Sequence, residues 1–190
     1  MAFNFGDYIY LSIPEGEVKQ IADGSGQVIW KRGYINQVPR STDTDGSIFN
    51  GTGYKDNVRL SSSGGISGSA QNGSVATGFI PYSGGDAGVI RMKGVRWLNT
   101  SEDGLGHYYI IFYDKNKTKI NYLSASEYEY NAHIVTVTRD ANGVESVVWN
   151  QDYGTSNALL QSIRSNPAFI RINAYGKGKD MVVTINEEIN

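Results

Sequence analysis

Two histidines, no cysteine and a scatter of carboxylates limit what this chain can do chemically. Without cysteine there is no thiolate catalysis, disulfide or Cys-based zinc site. His107 sits between Gly106 and Tyr108 in a loop-like stretch, and His133 begins a strand-like run. A serine nucleophile needs a sharp turn such as G-x-S-x-G. Gly24-Ser25-Gly26 and residues 64–69 hold Gly and Ser without that pattern. Glycoside hydrolysis needs two carboxylates across a cleft, roughly 5–5.5 or 6.5–9.5 Å apart. Glu102, Asp103, Glu127, Glu129, Asp140, Glu145, Glu187 and Glu188 are available, and no pair singles itself out. Glu127 and Glu129 would share one strand face, as solvated surface acids commonly do. The expectation is a non-enzyme, with a glycoside hydrolase as the alternative.

Metal binding has one local signal. Asp43-Thr44-Asp45-Gly46-Ser47 carries part of a calcium-loop pattern. Aligning Gly46 with the loop glycine puts Ser41 at the first ligand and Thr52 at the last, so it is not an EF-hand. A non-EF calcium site at Asp43 and Asp45 competes with an ordinary Asp/Gly turn, and the turn is preferred. The expectation is no cofactor, with a structural calcium as the alternative.

Ring stacking is the sharper chemistry. A sugar offers an apolar C–H face and a rim of hydroxyls, which aromatic rings and polar side chains complement. Tyr54, Tyr82, Trp97, Tyr108 and Tyr153 fall in or beside turn-rich stretches. Trp97 is the best single candidate, flanked by Arg96 and Asn99. Tyr109 and Phe112 read as core, and Trp30 and Trp149 read as strand ends that pack rather than bind.

The elements that must position these residues are strands. Gly (23) and Tyr (13) are abundant among 190 residues, and charged residues make up only 19%. Gly and Asn supply turns, while Tyr, Val, Ile and Thr supply strands. This composition argues against a helical bundle or coiled coil, which would need Ala, Glu, Lys and Leu. Net charge is −2, with no basic excess of the kind nucleic-acid binding needs. No run approaches the roughly 20 apolar residues of a membrane-spanning helix, and the N-terminus lacks a signal-peptide pattern. No nucleic acid and no membrane insertion are expected.

Residues 18–21 and 27–30 flank Ala22-Asp23-Gly24-Ser25-Gly26, a hairpin signal. This places an N-terminal attachment segment at 1–33 and a main domain at 34–190. Strand-like runs follow at 57–60, 79–82, 88–95, 108–113, 120–123, 133–138, 144–149, 169–174 and 181–185. Asp114-Lys115-Asn116-Lys117 and Asp140-Ala141-Asn142-Gly143 read as turns. Residues 61–78 are Ser/Gly-rich and read as a flexible loop or a poorly patterned edge strand. The one helix candidate is 157–164, with Ser156 as N-cap and Pro167 after its end. Many short strands separated by turns predict an all-β antiparallel sandwich or barrel.

Four segments in this order resemble one family: GTGYKDNVRLSSSGG from Gly51, ATGFIPYSGGDAGVIRMKGV from Ala76, IIFYDKNKTKI from Ile110 and FIRINAYGKGKDMVVTINEEI from Phe169. The hairpin VKQIADGSGQVIWKR from Val18 is similar to a short module that precedes that family's domain. The family is the carbohydrate-binding-like β-sandwich at the C-terminal end of tail and baseplate proteins in phages and prophages of gut Gram-positive bacteria. The resemblance spans most of residues 18–189 and is weakest at 97–107 and 125–143. It implies a jelly-roll sandwich preceded by a small hairpin. It further implies a virion component, made in the bacterial cytoplasm, that adheres to host-surface carbohydrate. Its partners would be other tail or baseplate proteins and further copies of itself, in a homo-oligomer taken as a trimer. The candidate glycan contacts are then Trp97, Tyr82, Tyr54, Tyr108, Arg96 and Asn99. The rival functions are a purely structural tail module and a polysaccharide depolymerase.

Overall fold

A computed structural model describes residues 20–22, 28–31, 53–67, 73–97, 108–125, 134–150, 158–165, 167–176 and 180–189. The chain divides into two units, Met1–Tyr34 and Ile35–Asn190. In the first, β1 (Gln20–Ala22) pairs antiparallel with β2 (Val28–Lys31). The turn-rich pentad between the two runs carries the glycines such a connection needs.

The described residues of the second unit are mostly β-strand, in two main antiparallel sheets with one α-helix. The larger, six-stranded sheet runs β10 (Lys119–Ser124), β9 (Tyr109–Tyr113), β13 (Phe169–Tyr175), β6 (Ser74–Thr77) and β3 (Tyr54–Asp56). Its sixth strand, β7 (Ile80–Pro81), also pairs with β13. The four-stranded sheet runs β11 (Val135–Arg139), β12 (Glu145–Trp149), β8 (Ile90–Lys93) and β14 (Val182–Ile185). A short hairpin joins β4 (Arg59–Leu60) to β5 (Ile66–Ser67). Helix α1 (Ala158–Arg164) buries Leu159, Leu160 and Ile163. Asn121 Nδ2 donates to Ser162 Oγ at 3.1 Å, which links the helix to β10.

One hydrophobic cluster draws on both sheets. Ile110, Phe112, Ile170 and Ile172 come from the larger sheet, and Ile90, Met92, Val147 and Val183 from the smaller. Alternation explains the choice: in β8 Ile90 and Met92 are buried while Arg91 and Lys93 are half-buried. The larger sheet is buried on its other face too. Ile111 and Tyr113 of β9, Ala76 of β6 and Leu60 of β4 form a second cluster there.

That double burial overturns one expectation. Residues 74–77 are not a loop or an edge: Ser74, Val75, Ala76 and Thr77 are all buried in an interior strand between β13 and β3. Small and polar residues give no alternating pattern, and a strand covered on both faces needs none. The run expected at 57–60 is also broken. Asn57 takes φ 60° and separates β3 from β4.

Candidate functional site

Four of the expected contacts are core residues. Trp97 is 0% exposed, Tyr54 1%, Tyr108 1% and Tyr82 4%, and all four belong to the main cluster. Their rings fill space beneath the strands and offer no face to a ligand. The Tyr82 hydroxyl donates to Gly85 O at 2.6 Å and accepts from Trp149 Nε1 at 3.0 Å. Burial pushes its pKa up to about 12, opposed by the Trp149 hydrogen bond. Arg96 exchanges both backbone hydrogen bonds with Tyr175, at 2.7 and 2.9 Å. Asn99, Tyr153, Asp43, Asp45, His107 and His133 lie outside the described residues.

The candidate acids that are described have structural partners. Glu145 is 3% exposed; it accepts from the Trp97 backbone N–H at 2.8 Å and from Arg139 Nη1 at 3.1 Å. Asp140 holds a turn, and Glu188 pairs with Arg91. Glu102, Asp103, Glu127 and Glu129 lie outside the described residues. Among the described residues no three His, Asp or Glu side chains are grouped to hold a metal ion. No helix there is long and apolar enough to cross a membrane.

Accessible rings instead gather on the second face of the six-stranded sheet. Phe79, Tyr109, Tyr122 and Phe169 are half-buried and pack against the second cluster. Register explains the grouping. Tyr122 pairs with Ile111, and Ser124 with Tyr109, so the two tyrosines are diagonal neighbours on one face. Their rings meet edge to face, 5.5 Å apart at 83°. Phe169 pairs with Tyr113 on the same face.

Phe79 arrives there by a bulge. Strands β6 and β7 run in turn along β13, but their pairings are out of step by one residue. At the break Ile172 N–H donates to the Thr77 hydroxyl at 2.8 Å, and Arg171 Nε donates to Thr77 O at 3.0 Å. The Phe79 ring then lies 5.0 Å from Tyr113 and 6.1 Å from Phe169, edge to face in both cases. Three cations face this belt. Lys117 Nζ is 4.7 Å from the Phe79 ring centroid, Lys119 Nζ 4.8 Å from that of Tyr122, and Arg171 Cζ 5.0 Å from that of Phe79. Burial raises the pKa of the Tyr113 hydroxyl, opposed by the nearby charge of Arg171.

Tyr109, Tyr122 and Phe169 sit inside strands, where core is the ordinary reading, and Phe79 sits at a bulge that no local pattern announces. A signal was present. Folding residues 108–123 about the 114–117 turn puts Tyr109, Ile111, Tyr113 and Tyr122 on one face. In comparisons with known families, curated proteins and solved structures, nothing matches the chain.

Proposed function

We propose that this chain is a non-catalytic phage or prophage tail or baseplate component that adheres to host-surface glycans. Its second unit is read as a jelly-roll β-sandwich and its first as an attachment hairpin, displayed in a homo-oligomer. The observation that carries the reading is the belt of half-buried rings at Phe79, Tyr109, Tyr122 and Phe169 on one face of the six-stranded sheet. Half-buried rings on a rigid sheet are placed in advance and lose little freedom on binding. Sugar C–H faces suit them, and symmetric display multiplies weak contacts. The ordered strand-and-turn segments that resemble the tail-protein family support the same reading.

A purely structural tail module is the second reading. The burial of Trp97, Tyr82, Tyr54 and Tyr108 favours it, because these rings are then packing residues. One experiment separates the two. The full chain and a Tyr109→Thr/Tyr122→Thr variant are applied to an array of bacterial surface polysaccharides. Threonine keeps strand propensity while removing both rings. Adhesion predicts binding by the native chain and at least a tenfold loss in the variant, about 1.4 kcal/mol. Binding to no glycan leaves the structural module.

A further inference from the structure

Two tight turns of the second unit share one backbone design but place different residues at its left-handed fourth position. In the β11–β12 turn Asp140 N–H donates to Val144 O at 3.0 Å, and Gly143 N–H donates to Asp140 O at 3.1 Å. Asp140 Oδ1 accepts from the Asn142 and Val144 N–H groups at 2.9 and 2.8 Å. The β9–β10 turn repeats all four bonds. Asp114 N–H donates to Thr118 O at 2.9 Å and Lys117 N–H to Asp114 O at 3.0 Å. Asp114 Oδ1 accepts from Asn116 and Thr118, both at 2.8 Å. The fourth residue is left-handed in both turns, with φ 76° at Gly143 and 62° at Lys117.

Glycine enters that region freely, whereas a lysine Cβ crowds the backbone there. The turn itself therefore gains nothing from Lys117. What the lysine adds is an ammonium 4.7 Å from the Phe79 ring centroid. Lys119 adds a second over Tyr122, and exposed Lys115 stands in the same turn. The turn's one acid, Asp114, already accepts two backbone N–H groups. On a chain of net charge −2, Lys117 and Lys119 both lie over rings of the aromatic belt.

We infer that Lys117 and Lys119 set the specificity of this face, so that it takes an acidic polysaccharide carrying carboxylate or phosphate groups. The inference rests on the adhesion reading above. Each ammonium has three N–H donors, more than one ring can engage, and an anionic substituent can accept the rest. The sugar rings pack alongside, on Tyr109 and Tyr122. One exposed ion pair contributes little, but a polymer that repeats its charge engages many copies at once. Strained backbone held at a ligand face is a recurrent mark of function.

The test uses the full chain with polygalacturonate, hyaluronate and poly(glycerol phosphate). The first two are also tested after chemical reduction of their carboxylates to neutral alcohols. At least one acidic polymer is expected to bind, tenfold or more tighter than any neutral match. A Lys117→Gly/Lys119→Gln variant should lose at least tenfold, and raising NaCl from 50 to 300 mM should weaken native binding by a similar factor. The single variant Lys117→Gly should weaken binding with its thermal midpoint unchanged or higher, which a merely structural lysine would not do. Binding only to poly(glycerol phosphate) identifies phosphate as the recognised group; binding only to the uronates identifies carboxylate. Absence of binding to every acidic polymer, equal affinity for a reduced polymer, or an unaffected double variant overturns the inference. Neutral polysaccharides that bind and depend on Tyr109 and Tyr122 leave adhesion standing while the acid preference falls. If nothing binds here or on the array, both fall.

Discussion

Tyr82 occupies a buried junction at which two groups depend on its hydroxyl, Gly85 O and Trp149 Nε1. Tyr82→Phe keeps the ring and strands both partners. Leaving buried polar groups unpaired costs about 1–3 kcal/mol, so urea unfolding at pH 7 should show a loss in that range. The pH dependence has a definite sign. The folded hydroxyl has its pKa raised to about 12 from an ordinary 10, because burial penalises the phenolate. The unfolded chain therefore ionises first. The stability this supplies is complete below pH 10 and is lost as pH rises through about 12. Tyr82→Phe has no such group. The stability gap between native protein and variant should narrow from pH 10 to 12, and a gap that stays constant would assign the alkaline loss to other residues. Glu145 acts in a similar way on the backbone, since its carboxylate fixes the Trp97 N–H inside the core.

Strands and turns were largely legible. The runs at 88–95, 108–113, 144–149 and 181–185 each contain a strand, and α1 lies within the expected 157–164. These segments carry clear alternation, an apolar block or a capped helical face. Two kinds of element were not legible. Ser74–Thr77 is central yet built of small residues, so it has no hydrophobic signature. In β13, Arg171 and Asn173 alternate with Ile170 and Ile172 and look solvent-facing, but they are 1% and 0% exposed. Their partners are backbone carbonyls of the neighbouring strand, Thr77 O and Val75 O, which no local window contains. The aromatics divide differently from the sequence expectation: Tyr54, Tyr82, Trp97 and Tyr108, beside turns, are core, whereas Tyr109, in a strand, is half-buried on the second face; Phe112 and Trp149 are core as expected. Connections between strands also carry fixed demands. Gly94 follows β8 with φ 79°, and a Cβ there would lie 2.1 Å from the Asp180 backbone oxygen. Gly94→Ala must move backbone as well as adopt a left-handed alanine. A loss of about 2–4 kcal/mol in chemical denaturation is expected, and a change below about 0.5 kcal/mol would show that β14 can shift freely.

At the scale of the whole molecule, division into Met1–Tyr34 and Ile35–Asn190 predicts separable stability. The described side chains of the main cluster run from Tyr54 to Val183. A chain shortened to residues 35–190 should therefore melt cooperatively within about 2–4 °C of the full protein, equivalent to about 1 kcal/mol. A larger fall by calorimetry would mean that the first unit contributes to the stability of the second. Within the second unit, the cluster on the outer face of the six-stranded sheet shares no residue with the main core. Changes at sites with no shared neighbours tend to add independently. In the adhesion reading this separation has an evolutionary consequence. Mutations can rewrite the receptor-facing rings and lysines as a coupled set while no side chain of the main core is replaced. A lineage built this way can follow a host that remodels its coat, and the scaffold beneath stays as inherited.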